Sequence, residues 1–282
     1  MNRPTVSRTL PANRRTVGPG SLGLLLLMGL PWAPDEVVSQ IPPAKEIMEK
    51  VYEQDTNRDV TMRIKLQVFG RSGEPERKRF VLYRVGSPGQ SKTLARFTSP
   101  PELRGVALLS INRKGEAVSQ WIFTPATRRT RKVAPRDRSE SFAGTDFSYE
   151  DITERALDDF SYRLVDEADA MEGHKTYKIE ATPVAPDRSQ YKFVYYWVAQ
   201  DVPVILHAEM YGQQGQQVRR FHASQLKRVS GIWGARRLEM TSLPQDTRTT
   251  LTIDEVRFNT GLGDDLFAPE ALEKGGLLPP KN

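Results

Sequence analysis

Thr61-Met62-Arg63-Ile64-Lys65-Leu66-Gln67-Val68-Phe69 places Met62, Ile64, Leu66 and Val68 in strict alternation with Arg63, Lys65 and Gln67. An extended chain turns successive side chains to opposite faces, so this period of two marks a strand with one buried face and one wet face. The same reading continues outward from it. A turn at Gly70–Pro75 leads into Arg79–Val85, and Gly86-Ser87-Pro88-Gly89 leads into Ser91–Phe97, the pattern of hairpin-connected neighbours. Val106–Ile111, Ala117–Phe123 and Arg129–Val133 extend the series. After an interval come Ser161–Asp166, Lys175–Ala181, Tyr191–Ala199, Val204–Tyr211, Val218–Arg228, Ala235–Thr241 and Arg248–Phe258, punctuated by Gly173, Gly212–Gly215 and Gly231. About a dozen short strands with few helices predict a mainly β chain, a sandwich or a barrel-like sheet.

Two stretches leave this period. Pro42-Pro43 opens Ala44–Asp55, where Ile47, Met48, Val51 and Tyr52 fall on one helical face. Proline at the first turn and early acids are helix start signals. The stretch Tyr149–Asp158 is read as a second helical or irregular segment. The interval 40–282 shows no internal repeat, no low-complexity linker and no shift of composition, and is read as one domain.

The N-terminus differs in kind. Arg3, Arg8, Arg14 and Arg15 precede the short apolar run Leu22–Leu30. A basic leader before so short a run is the pattern of a secretory signal. Val37-Val38-Ser39 supplies small residues for cleavage, so residues 1–39 are expected to be a signal peptide and the mature chain to begin near Gln40. Loss of that leader removes four arginines with Asp35 and Glu36, and the net charge falls from +6 to +4. That is mild, and suits work near an anionic membrane surface.

Catalytic chemistry is hard to find. The chain has no cysteine, which excludes disulfides, thiolate metal sites and a catalytic thiol. His174, His207 and His222 fall on separate strands without metal-ligand spacing, and no metal or cofactor is expected. There is no Gly-x-Ser-x-Gly elbow and no phosphate-binding glycine loop in the mature chain. Adjacent acids such as Asp158-Asp159 and Asp264-Asp265 read as solvated turn residues rather than a catalytic couple, so an enzyme is not expected.

Two other features stand out. Arg128–Arg138 carries six cations, Arg128, Arg129, Arg131, Lys132, Arg136 and Arg138, against the single acid Asp137. They either protect a soluble edge strand from pairing with other chains or meet anionic headgroups or an acidic partner. The strand Tyr191-Lys192-Phe193-Val194-Tyr195-Tyr196-Trp197 is bulky on both faces, as expected of a strand covered on both sides or one lining a hollow.

Three segments in order, Phe97–Leu109 (FTSPPELRGVALL), Trp121–Val133 (WIFTPATRRTRKV) and Ser141–Ile152 (SFAGTDFSYEDI), resemble the outer-membrane lipoprotein-sorting protein family with a LolA-like domain. Trp197, Val202-Pro203-Val204, Gly231-Ile232-Trp233 and Asp265-Leu266-Phe267-Ala268-Pro269 fit the same pattern, so the resemblance covers most of 44–273. It implies an incomplete, strongly curved antiparallel β barrel with helices over its open side, here an N-terminal helix and a second short helical lid. It implies a periplasmic carrier that holds the acyl chains of a lipoprotein or other lipid in a hydrophobic hollow for transfer towards the outer membrane. Leu108, Trp121, Phe123, Phe142, Phe147, Tyr149, Tyr196 and Trp197 are the candidate lining or lid. Implied partners are the lipid itself, an inner-membrane transporter and an outer-membrane acceptor, with peripheral membrane contact and no nucleic acid. Gly144 is read as a turn residue, and Asp146 and Ser148 as caps of the helix entered at Tyr149. An open hollow favours carriage. A filled interior favours the alternative, an accessory interaction module of an envelope transporter without lipid cargo.

Overall fold

The computed structural model describes residues 42–54 and 58–274. The expected signal peptide at 1–39 lies outside the described residues.

Among the described residues, thirteen strands build one antiparallel sheet. In chain order they are β1 (Asp59–Phe69), β2 (Glu76–Ser87), β3 (Gln90–Ser99), β4 (Ala107–Ile111), β5 (Ser119–Thr124), β6 (Arg129–Lys132), β7 (Phe160–Met171), β8 (His174–Pro183), β9 (Tyr191–Ala199), β10 (Ile205–Gly212), β11 (Gln217–Val229), β12 (Ile232–Ser242) and β13 (Thr247–Phe258). Every strand expected from the period of two is present. β7 runs on to Met171, past the expected Asp166.

The spatial order is β6-β5-β4-β3-β2-β1-β13-β12-β11-β10-β9-β8-β7. Apart from β6 and β7, strands consecutive in sequence pair with each other, and β1 also pairs with β13, Ile64 opposite Ile253 and Leu66 opposite Leu251. Two meanders are thus joined at mid-sheet by the first and last strands. The consequence is topological. β6 and β7 are consecutive in sequence yet form the two outer edges, so the connection between them crosses the face of the sheet.

Strand alternation defines two faces. One face, termed inner, carries Ile64 and Leu66 of β1, Phe80 of β2, Phe97 of β3, Leu108 of β4 and Leu251 of β13 in one cluster. It continues through Met240 of β12, Met210 of β10, Tyr196 of β9 and Ile179 of β8 in a second cluster. A helix, α1 (Ala44–Glu53), lies over this second half with Ile47 and Met48 buried and Val51 and Tyr52 packed beside them. The helix follows the apolar spacing read from sequence, with Pro43 at its cap position. Laid flat, thirteen strands at about 4.8 Å spacing would span about 58 Å. Yet the single connection between β6 and β7 puts Phe142 and Tyr149 into the first cluster and Phe147 into the second, with Ile152 against both. The sheet is therefore rolled around the connection, an open barrel whose edges β6 and β7 are not paired among the described residues.

On the outer face, Val81, Tyr83, Leu94, Leu109 and Phe123 are covered by the segment after β13, which buries Phe267 and Leu272. That segment is pinned to the sheet by charged side chains, of which Asp59 and Arg96 are buried. Asp59 accepts hydrogen bonds from the backbone of Thr260 at 2.7 Å and Gly261 at 2.9 Å, and Lys92 donates to Asp264 at 2.6 Å. Arg96 donates to the Leu272 carbonyl at 3.3 Å.

The expected second helix is not formed. Residues 149–156 are turns and irregular backbone, and only a 3-10 turn, Leu157–Asp159, follows. The Tyr149 carbonyl, which a helix would offer to the Thr153 amide, instead accepts from Gln120 Nε2 at 3.0 Å and Thr153 Oγ1 at 2.6 Å, and the Thr153 amide turns to the Glu150 carbonyl at 3.2 Å. One helical bond, Ile152 to Ser148 at 3.3 Å, cannot propagate a helix whose nucleation costs more than a single bond returns.

Candidate functional site

The β6–β7 connection inserts a short hairpin-like loop into the rolled sheet. Ser141 and Ser148 form an isolated antiparallel bridge, and Phe142 donates to the Phe147 carbonyl at 2.8 Å. Between them Ala143 and Gly144 both have positive φ, 50° and 69°, which closes the loop in the left-handed region. The tip is fastened to the sheet by polar groups. Thr249 donates to Asp146 Oδ2 at 2.6 Å, Asp146 N donates to Thr249 Oγ1 at 2.9 Å, and Thr247 donates to Asp146 Oδ1. Lys78 donates to the Ala143 carbonyl at 2.8 Å. Gly144 is thus the turn residue read from sequence. Asp146 is not a helix cap but a clamp on β13. Ser148 instead pairs reciprocally with Asp151: Ser148 N donates to Asp151 Oδ2 at 2.8 Å and Asp151 N to Ser148 Oγ at 3.1 Å, a capping-box arrangement around a single turn.

The apolar side chains of the loop fill the hollow. Phe142 packs at 5.4 Å from the Phe97 ring, 6.5 Å from Phe80 and 6.0 Å from Tyr149, an aromatic cluster in tilted and edge-on geometry. Phe147 turns the other way, towards α1 and β9. The recess expected to stay partly empty is occupied in this structure by these three side chains, all buried.

A charged cluster lies just behind the aromatics. The Asp151 side chain is 2% exposed. Tyr191 of β9 donates to its Oδ1 at 2.6 Å, Arg219 of β11 stands 3.5 Å from Oδ2, and Arg155 stands 3.9 Å from Oδ1. Arg155 donates to the Tyr196 hydroxyl at 2.7 Å and lies over the rings of Phe160 and Tyr191. Burial opposes its charge, but Tyr196, Glu150 and Asp151 more than reverse this and hold its pKa above the ordinary arginine value. Burial, then Asp151, pushes the Tyr191 hydroxyl well above its usual range, so it stays a donor. Gln120 of β5 ties the segment from the other side, donating to the Tyr149 carbonyl at 3.0 Å and to Thr153 Oγ1 at 2.9 Å. A cleft of about 260 Å³ opens beside the segment, bordered by Gln120, Arg138, Glu150, Arg155 and Phe160.

A family model described as an uncharacterized protein matches residues 89–274. The chain belongs to that family. No curated protein matches it. Among solved structures, a domain named for outer-membrane lipoprotein sorting from Vibrio parahaemolyticus superposes with a TM-score of 0.77 at 22% identity, covering 82% of this chain and 98% of that one. A DUF1329 family protein from Desulfovibrio piger gives 0.77 at 23% identity, covering 82% and 100%. A LolA superfamily protein from Nitrosomonas europaea gives 0.66 at 19% identity, covering 81% and 98%. At these identities the likeness is one of fold, and the fold is the open, curved LolA-like sheet that the sequence motifs resemble.

Within this LolA-like frame the expected lining residues divide by strand parity. Leu108, Phe142, Phe147, Tyr149 and Tyr196 belong to the inner-face clusters. Trp121, Phe123 and Trp197 face the other way, which corrects their assignment. Phe123 packs with the segment after β13, Trp121 beside it under Lys132, and Trp197 against His207 at 5.0 Å. Each is one residue away in register from an inner-facing neighbour, Ile122 or Tyr196, and a shift of one residue exchanges faces. Of the basic run, Arg128, Arg129, Arg131, Lys132 and Arg136 are exposed along the edge strand β6 and the loops that flank it. Arg138 is apart from them: it is half-buried and donates to the Val118 carbonyl. His207 and His222 pair across β10 and β11, but among the described residues no three His, Cys, Asp or Glu side chains come together as a metal site. Among the described residues no helix is long and apolar enough to cross a membrane. Arg155, Arg219 and the Thr247–Thr249 pair carry no signal in the sequence, and Tyr191 stands out there only as a bulky strand residue. Their partners lie 28 to 103 residues away or in irregular backbone, and no local spacing announces them.

Proposed function

We propose that the chain is a periplasmic carrier of acyl chains, exported by the leader at 1–39, and that the structure is its closed state, with the Ser141–Ile152 segment seated where the acyl chains of a lipid or lipoprotein bind. One observation carries this reading: the occupant of the apolar inner face is not a strand of the sheet but a separate loop. Its contacts to the sheet are side-chain bonds and three aromatic rings. It can leave without breaking a ladder hydrogen bond.

The energies allow an exchange. Withdrawing three buried aromatic side chains forfeits roughly 5–9 kcal/mol, and each polar tether about 1 kcal/mol more. Burying a ~14-carbon chain returns on the order of 11 kcal/mol. The two occupants are near balance, as a carrier that must both load and release requires. Delivery towards the outer membrane, by way of an inner-membrane transporter and an outer-membrane acceptor, belongs to the same reading.

The filled recess favours a second reading, an accessory module of an envelope transporter that holds no lipid. In it the segment is permanent and the exposed cations of the β6 edge are the docking surface. Hydrogen-exchange mass spectrometry with and without a micellar C14 lipid separates the two. The carrier predicts that amides of 141–152 lose protection when lipid is added while β1 and β13 keep theirs. Unchanged protection across that segment would leave the docking module.

A further inference from the structure

We propose that the Asp151 carboxylate is an internal stand-in for an anionic lipid headgroup, and that Tyr191, Arg155 and Arg219 form the headgroup site once the Ser141–Ile152 segment lifts. This rests on the carrier reading above and adds the class of cargo: an acyl lipid whose polar end is a phosphate or a carboxylate.

The partners of Asp151 divide in a telling way. Ser148 belongs to the moving segment. The other three do not. Tyr191 is on β9, Arg219 is on β11, and Arg155 lies beyond the segment, fixed by the Tyr196 hydroxyl at 2.7 Å. When the segment goes, these three stay behind, two guanidinium groups and a phenol at the end of an apolar trough, with their carboxylate removed. Two buried cations in that state are strongly unfavourable unless an anion enters with the acyl chain. A lipid with a neutral head leaves that deficit in place, whereas a phosphate or carboxylate restores the balance.

Asp151 also satisfies the site incompletely. It lies 3.5 Å from Arg219 and 3.9 Å from Arg155, outside ordinary N–H···O distance. Arg219 spends one terminal nitrogen on Gln190 at 2.6 Å and Tyr191 at 2.7 Å, while its Nε is buried and has no hydrogen-bond partner among the described residues. A guanidinium presents Nε and a terminal nitrogen as a fork matched to two oxygens of one anion. A short aspartate held by its own backbone turn cannot reach that fork, whereas an oxyanion free to seat itself can. Both arginines stay charged at physiological pH with Asp151 gone, because a guanidinium is not deprotonated in proteins.

The test uses the full chain and three matched compounds at pH 7.5 by titration calorimetry: lauroyl lysophosphatidic acid, 1-monolauroylglycerol and glycerol 3-phosphate. The first two differ only by the phosphate, and the third is the head without the chain. The expected result is that the lysophosphatidic acid binds about tenfold or more tightly than the monoacylglycerol, as one charge-assisted contact implies. Glycerol 3-phosphate should give no heat at the same concentration. Arg219→Gln should collapse the ratio of the two glycerolipids towards one, and Asp151→Asn should tighten binding of the phosphate lipid by removing its internal competitor. Equal affinities with a ratio untouched by Arg219→Gln would overturn the headgroup site and leave acyl carriage standing. Failure of both glycerolipids to bind would remove the carrier reading and this inference together. Glycerol 3-phosphate binding as tightly as the lipid would make this a site for a soluble anion and overturn it. Should Arg219→Gln fail to fold, Asp151→Asn decides alone, since unchanged or weaker binding in that variant contradicts a competitor role.

Discussion

Both faces of the sheet are covered by irregular chain, but the two covers are built differently. The outer cover, residues 260–272, buries Phe267 and Leu272 among aliphatic and aromatic neighbours and is held at its backbone by two buried charged residues of the sheet, Asp59 and Arg96, with Lys92 on Asp264 beside them. The inner cover, Ser141–Ile152, also buries aromatics, yet it places Asp146 and Asp151 in the interior opposite threonines, a tyrosine and two arginines. The buried charges of the outer cover belong to the sheet and hold the cover's backbone, whereas the buried carboxylates of the inner cover are its own, and their departure leaves sheet side chains free to bind another group. The contrast teaches that one cover is part of the fold and the other is an occupant held by bonds that an incoming molecule can replace.

The largest expected effect tests the permanent cover. Phe267→Ala should cost about 3–5 kcal/mol, since the outer face cannot refill the cavity, and the loss read by denaturant melts should be the same with and without lipid. Lipid rescue of that variant would erase the distinction between the faces. Phe142→Ala should cost somewhat less, about 3 kcal/mol, as the loop relaxes over the trough. Here added C14 lipid should raise the midpoint well above that of the apo variant. A smaller loss, about 1–3 kcal/mol, is expected for Asp146→Ala, which strands the Thr247 and Thr249 hydroxyls. Its signature is faster exchange of amides 142–148 with β13 unchanged, and uniform destabilisation would argue that the loop is integral to the fold.

Acid should loosen the outer cover. Burial pushes the Asp59 pKa up, but hydrogen bonds from Thr260, Gly261 and Leu262 outweigh it and the net shift is downward. A depressed carboxylate contributes stability that is present above about pH 3.9, the unfolded value, and is lost as pH falls through the lower folded value. Asp59→Asn should remove that part of the acid dependence, visible as a flatter stability profile below pH 4. The smallest stability effect belongs to the β6 edge: Arg129→Glu with Arg131→Glu should shift folding by under about 0.5 kcal/mol. Loss of binding to vesicles containing anionic lipid in that variant would give the edge a role beyond protecting the sheet.

The strands were legible because their signals are local, alternation in most of them and a short apolar or aromatic run between turns in β4 and β9. The family resemblance pointed to Ser141–Ile152 as the distinctive segment, and that segment is the one that fills the hollow. Which face a bulky residue takes was less legible: Trp121, Phe123 and Trp197 sit one position from inward neighbours, and both faces of this sheet are covered, so bulk alone does not tell in from out. The helix expected over Tyr149–Asp158 failed for the same kind of reason. Its propensity is overridden by distant side chains, above all Gln120, which takes the Tyr149 carbonyl that the helix would use. Arg155 and Arg219 carry no local signal, and only the rolled sheet brings them to one carboxylate.

The claim that the inner cover stands in for an acyl chain is tested most directly by native mass spectrometry of the purified chain, before and after organic extraction. The account predicts adducts of lipid mass on part of the population, removed by extraction and more abundant in Phe142→Ala. Bare protein in both forms, from several expression hosts and with lipid supplied in excess, would contradict it.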